Sequence, residues 1–186
     1  IKNMNVDELR KGISLTIKEI RANLPQEASR AGADASALIE ERVVERGERA
    51  DGGKFSAYST KKVPAFFFFG KSRNGGGDAA VRKAAKDGDG VSYSEFRRFN
   101  GLGTSVKNFQ FTGEMWQGFG VKQITAISED VVEIEIGGKN ARSSLLLKAH
   151  SDREGSELTK NSVSELEQIT KGVNERIAAI IKRNMT

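Results

Sequence analysis

Three features of the sequence predict an α+β fold: a helical apolar stripe near each end of the chain, and a pair of alternating β runs between them. The N-terminal stripe is Val6, Leu9, Ile13, Ile17, Ile20 and Leu24; the C-terminal one is Leu166, Ile169, Val173, Ile177 and Ile180. Steps of three and four place each set on one face of a helix. Between them, Val121 to Ile127 and Val131 to Ile136 read as a hairpin turning at Ser128-Glu129-Asp130. Val132, Ile134 and Ile136 face in, while Glu133 and Glu135 face out. The expected architecture is a single domain over 1–186. It has a small antiparallel β-sheet packed with amphipathic N-terminal and C-terminal helices, and a long Gly-rich loop.

Taken in order, residues 1–33 form an N-terminal helical arm with Lys18, Glu19 and Arg21 on its polar face, ended by Pro25. Its apolar face docks either on its own domain or on a neighbouring subunit. A second helix starts after Asp34, a capping residue, buries Leu38, Ile39 and Val43, and stops at Gly47. Asp51-Gly52-Gly53 turns the chain toward Phe55 and Tyr58, two aromatic anchors. Residues 70–95 read as a flexible, basic, Gly-rich loop with a helical turn or two in its Ala- and Lys-rich middle. Phe109 and Phe111 alternate with polar neighbours as in a half-buried strand, and Met115, Trp116 and Phe119 form an apolar cluster. Asn140 to Ala149 reads as a short helix. The C-terminal helix spans 162–184, with Ser162 and Glu165 at capping-box spacing.

Composition narrows the function. Hydrophobic residues make up 37% and charged residues 30%, so the core is modest for the length and some surface is expected to be buried only on assembly. Thirty Lys and Arg against 25 Asp and Glu give a mild net +5 with interspersed signs, unlike a dedicated nucleic-acid binder. The absence of cysteine excludes disulfides, thiolate metal sites and cysteine nucleophiles. One histidine, His150, cannot build a His-rich metal site, and we read it as a surface or loop residue. No 18-residue apolar run and no signal peptide are present, which predicts a soluble protein without a membrane partner.

Several motifs tempt and fail on physical grounds. Ala65 to Ser72 fits a loose phosphate-loop pattern, but four phenylalanines cannot curl backbone amides around a phosphate. Asp87 to Phe96 echoes a calcium loop, yet with Gly90 sixth the first and twelfth ligands would be Ala85 and Phe96. His150-Ser151-Asp152 holds the letters of a triad whose adjacent side chains point apart. No cofactor is expected. Phe66, Phe67, Phe68 and Phe69 remain the oddity: in a strand, two would point to each face, so they are either folded core or a contact with a partner or another copy. Trp116, Arg97 and Arg98 are further candidates for such a contact. Basic residues gather at Lys61, Lys62, Lys71, Arg73, Arg82, Lys83, Lys86, Arg97 and Arg98, and read as a solvated loop, weak DNA contact, or charge pairing with a partner ring.

The ordered set Arg42-Val43…Gly47, Asp51-Gly52-Gly53-Lys54-Phe55, Tyr58-Ser59, Arg97-Arg98-Phe99, Gly101, Thr104-Ser105 and Thr112-Gly113-Glu114-Met115-Trp116 resembles the tail-completion or head–tail joining proteins of tailed bacteriophages. Arg153-Glu154-Gly155 before a capped terminal helix fits the same family's ending. The insertion over Lys71–Ser94 and the Phe66–Phe69 run depart from the pattern. The resemblance implies a non-enzymatic structural protein of the virion neck or tail, assembled in the host cytoplasm. It would form a ring of its own copies, six by family expectation or twelve at a portal-facing ring. That ring would contact neighbouring neck, portal-side or tail-tube proteins and touch DNA in the lumen without sequence preference. The rival expectation is a nucleic-acid-binding accessory module that uses the basic 61–98 stretch.

Overall fold

A computed structural model describes residues 5–154 and 158–185; Gly155, part of the ending noted above, lies outside them. The first helix, α1, runs unbroken from Val6 to Glu41, 36 residues or about 54 Å at 1.5 Å per residue. Asn5 and Glu8 close its N-terminus with a reciprocal capping box. Pro25 sits inside this helix, and Asp34 caps nothing. The expected break at Pro25, and with it the boundary of a separate arm at residue 33, is therefore corrected. Proline removes one backbone hydrogen bond on an exposed turn, while neighbours packed along α1 hold the helix on both sides of it. A π-helical turn over Arg42–Arg46 follows, and Gly47 ends it at φ 61°, the left-handed terminator expected.

The fold is α+β, as expected, and among the described residues its β structure is two small antiparallel two-stranded sheets. The smaller pairs β1 (Lys62–Pro64) with β2 (Gly90–Ser92). Around it lie a 3₁₀ turn at Ala65–Phe68, helix α2 (Gly75–Lys86) and helix α3 (Tyr93–Phe99). Within residues 70–95, expected to hold a helical turn or two, lie the 12-residue α2 and the strand β2. Asn74 caps α2 by accepting the Gly77 amide, Arg82 pairs with Asp78 one turn back, and Val81 is fully buried. Gly77 is required there: a Cβ would stand 2.7 Å from Asn100 Oδ1. Ala65, Val81, Val91 and Phe96 form the core of the small lobe around this sheet.

The larger hairpin, β3 (Phe119–Ser128) with β4 (Val131–Gly138), turns where predicted, with Glu133 and Glu135 outward. It is preceded by the one-turn helix α4 (Glu114–Gln117) and followed by α5 (Ala141–Glu154), the short helix expected. The last helix, α6 (Val163–Asn184), carries the predicted Ser162–Glu165 capping box. It runs antiparallel to α1: Glu165 meets Arg42 near one end, and Asn184 meets Glu19 near the other. The main core gathers at the base of this pair, around Ile39, Val43, Phe55, Met115, Trp116 and Leu147.

Phe109 and Phe111 belong to no strand, correcting the alternation read there. Phe109 sits at φ 55°, a left-handed conformation uncommon for an aromatic residue. Tyr58 holds it in place, its hydroxyl accepting the amides of Asn108 and Phe109 and donating to Asn108 Oδ1. Trp116 Nε1 donates to the Asn108 carbonyl at 3.1 Å. This knot lets Phe109 face the main core while Phe111 stacks on Phe96 of the small lobe.

Candidate interaction surfaces

The chemistry-bearing residues lie on three surfaces. The first is the aromatic edge of the small lobe. A 3₁₀ turn, in place of a strand, splays the four phenylalanines unequally. Phe68 turns in and stacks on Phe96 at 4.5 Å. Phe66 and Phe67 stay 60% and 52% exposed with their rings stacked on each other, and Phe69 is exposed under the Arg82 guanidinium. A core role is thus excluded for three of the four in this protomer. Lys71, Arg73, Lys83 and Lys86 are exposed on the same lobe, as is Arg98.

Two expected contact residues are interior instead. Trp116 belongs to the main core. Arg97 is 1% exposed; its guanidinium donates to the carbonyls of Gly103 and Gln110 and to Asn108 Oδ1, and stacks 4.0 Å from the Tyr58 ring. It fastens the 103–110 segment and offers a partner nothing.

The second surface is the stalk formed by α1, α6 and the β3–β4 hairpin. From Val6 to Leu38, the buried residues of α1 are Gly12, Thr16, Ala28, Gly32 and Ala35, all small. They let the elements approach closely: a Cβ at Gly32 would stand 2.7 Å from Val121 Cγ2 and 2.8 Å from Ile134 Cγ2. The large apolar side chains are left at the margins. Val6, Leu9, Ile13, Leu15 and Ile17 of α1, Val163, Leu166 and Ile181 of α6, and Ile127 and Val131 at the hairpin tip are exposed. Ion pairs stitch the stalk, with Glu27 to Arg176, Glu19 to Arg183, and Arg21 to both Glu129 and Asp130. The hydrogen bond from Arg21 holds the Asp130 carboxyl below the usual carboxylate range. The whole chain exposes 11850 Å², against about 8800 Å² for a compact monomer of its mass.

The third surface is a cleft of about 880 Å³ between the main core and the small lobe. The segment from Arg49 to Lys61 forms one wall, Tyr93, Arg97 and the 107–111 segment another, and the end of α5 the rest. Its floor is aromatic, but the rings are engaged: Tyr58 with Arg97 and Tyr93, Phe109 with Phe55 and His150. Burial pushes the Tyr58 hydroxyl up; burial first, then Arg153, pushes His150 down, so the imidazole stays neutral more readily than a free one. His150 is therefore a half-buried member of α5, not a loop residue. Lys107 is ion-paired with Glu154 and lies 3.1 Å from Ser56 Oγ. Lys107 Nζ donates to the serine hydroxyl and pairs with Glu154, so this trio braces the wall. Sequence reasoning missed the cleft because its walls come from three distant segments.

Among the described residues, no group of three or more His, Asp or Glu is placed to hold a metal ion, and no helix is long and apolar enough to cross a membrane. Compared with known protein families, with curated proteins and with solved structures, the chain matches none.

Proposed function

We propose that this chain is a structural virion protein that assembles with copies of itself into a ring at the phage neck or the top of the tail, completing the tail and joining it to the head. The observation that carries assembly is the surface excess. About 3000 Å² beyond a compact monomer exceeds the roughly 800 Å² that each partner contributes to a standard interface. Its exposed Ile, Leu, Val and Phe side chains lie along the stalk and the aromatic edge. A subunit that touches neighbours on two sides has reason to carry such surfaces. Six copies are expected, or twelve at a portal-facing ring, with neighbouring neck, portal-side or tail-tube proteins above and below.

The phage assignment rests on the resemblance carried by the ordered motifs. Val43, Phe55, Tyr58, Arg97, Met115 and Trp116 come from five of those motifs and meet in and around the Tyr58–Asn108–Trp116 knot. The test is electron microscopy of a lysate from the parent phage with an early stop codon in this gene. Filled heads beside separate or irregular tails are expected; infectious, normally joined particles would overturn the joining role.

A second reading, a nucleic-acid-binding accessory module, draws on one observation. Lys71, Arg73, Lys83 and Lys86 are exposed on the lobe that also exposes the stacked Phe66 and Phe67. Steep salt dependence of DNA affinity would favour it, because each phosphate contact releases counterions.

A further inference from the structure

The hairpin tip and the basic cleft are complementary surfaces at opposite ends of the molecule. The tip presents Glu129 and Asp130, with Glu133 third in the following strand and exposed Ile127 and Val131 on its flanks. Arg21 offsets part of that charge but leaves it net negative. The cleft is rimmed by Arg49, Lys54, Lys61, Lys107 and Arg153. Glu48, Asp51 and Glu154 pair with Lys54, Arg49 and Lys107, so cations remain in excess. Among the described residues, Lys61 and Arg153 have no ion-pair partner.

Geometry decides whose tip can fill the cleft. The tip is fixed to α1 at Arg21, whereas the cleft wall begins just past Gly47. That stretch of helix is about 39 Å long at 1.5 Å per residue, so a molecule cannot reach its own cleft. Base stacking does not suit the cleft, since Tyr58 and Phe109 are already packed against Arg97, Tyr93, Phe55 and His150. An acidic turn with apolar shoulders does suit a basic rim over an apolar floor.

We infer that the Ile127–Val131 tip of one copy docks in the Lys61/Arg153 cleft of the next, forming the head-to-tail contact of the ring. Two different patches meet in such a contact, and it closes into a ring when the rotation between copies allows. The inference rests on the self-assembly part of the proposed function and is independent of the virion assignment.

The cysteine-free sequence makes the test clean. Ala57, exposed on the cleft wall, becomes Ala57→Cys, and Ser128 at the tip becomes Ser128→Cys, in separate full-length proteins. Mixed and mildly oxidised, they are expected to give a disulfide-linked heterodimer at least tenfold above the dimer each forms alone. Adding Lys61→Glu with Arg153→Glu to the cleft partner should abolish it, and Glu129→Lys with Asp130→Lys on the tip partner should restore it. A heterodimer no more abundant than either homodimer overturns the contact. Sedimentation of the unmodified chain then separates the two ideas: an oligomer keeps self-assembly and moves the interface elsewhere, whereas a monomer ends both.

Discussion

Two adjacent arginines show how far apart neighbouring side chains can stand in role. Arg97 donates to two carbonyls and an amide oxygen from the interior, while Arg98 is exposed. Arg97→Lys keeps the charge but loses the fork, leaving buried acceptors unpaired, and should cost about 3 kcal/mol in urea denaturation. Arg98→Ala should change stability by less than about 0.5 kcal/mol. Nothing in the sequence separates the two, because their burial is set by the 103–110 segment folding back over α3. His150 gives a pH signature. Its folded pKa is lowered by burial, with Arg153 and Lys107 opposing its charge and Glu154 favouring it. The unfolded chain therefore takes up the proton first, and this contribution is intact above about pH 6.5 and lost as the pH falls below it. His150→Gln should flatten the stability profile between about pH 7 and 5; an unchanged slope would remove His150 from the account.

At the scale of elements, what was legible was local. The Ser162–Glu165 box, Gly47 and the alternation around Glu133 and Glu135 act within a few residues, and the corresponding structure follows. What was not legible depended on distant partners. Pro25 stops a helix that stands alone, but α1 is held by α6 and the hairpin along its length. The glycines of 70–95 concealed a capped helix whose Val81 has a pocket waiting for it. These tertiary contacts predict two outcomes. Glu165→Ala removes the buried 2.7 Å ion pair with Arg42 and the capping box together, and should cost about 3–5 kcal/mol because Arg42 stays buried on the carbonyls of Glu48 and Lys160 without a counter-charge. Gly32→Val drives a side chain into Val121 and Ile134, and should cost about 1–3 kcal/mol despite better helix propensity. Amide exchange would show the β3–β4 amides losing protection before those of the base.

At the scale of the whole molecule, the fold class was readable and the candidate site only in part. Phe66, Phe67 and Phe69 were singled out and are exposed, whereas the cleft was invisible because residues 49–61, 93–111 and 153–154 meet only in three dimensions. The molecule pairs a well-packed base with a stalk whose buried positions are small and whose large apolar side chains lie open. Such a stalk is completed by neighbours. The most direct measurement is the mass of the purified full-length chain by light scattering over a wide concentration range. A closed ring of six gives a discrete species of about 120 kDa, six times the 20.3 kDa protomer, and a twelvefold ring gives twice that. A 20.3 kDa monomer at every concentration up to the millimolar range would contradict ring assembly.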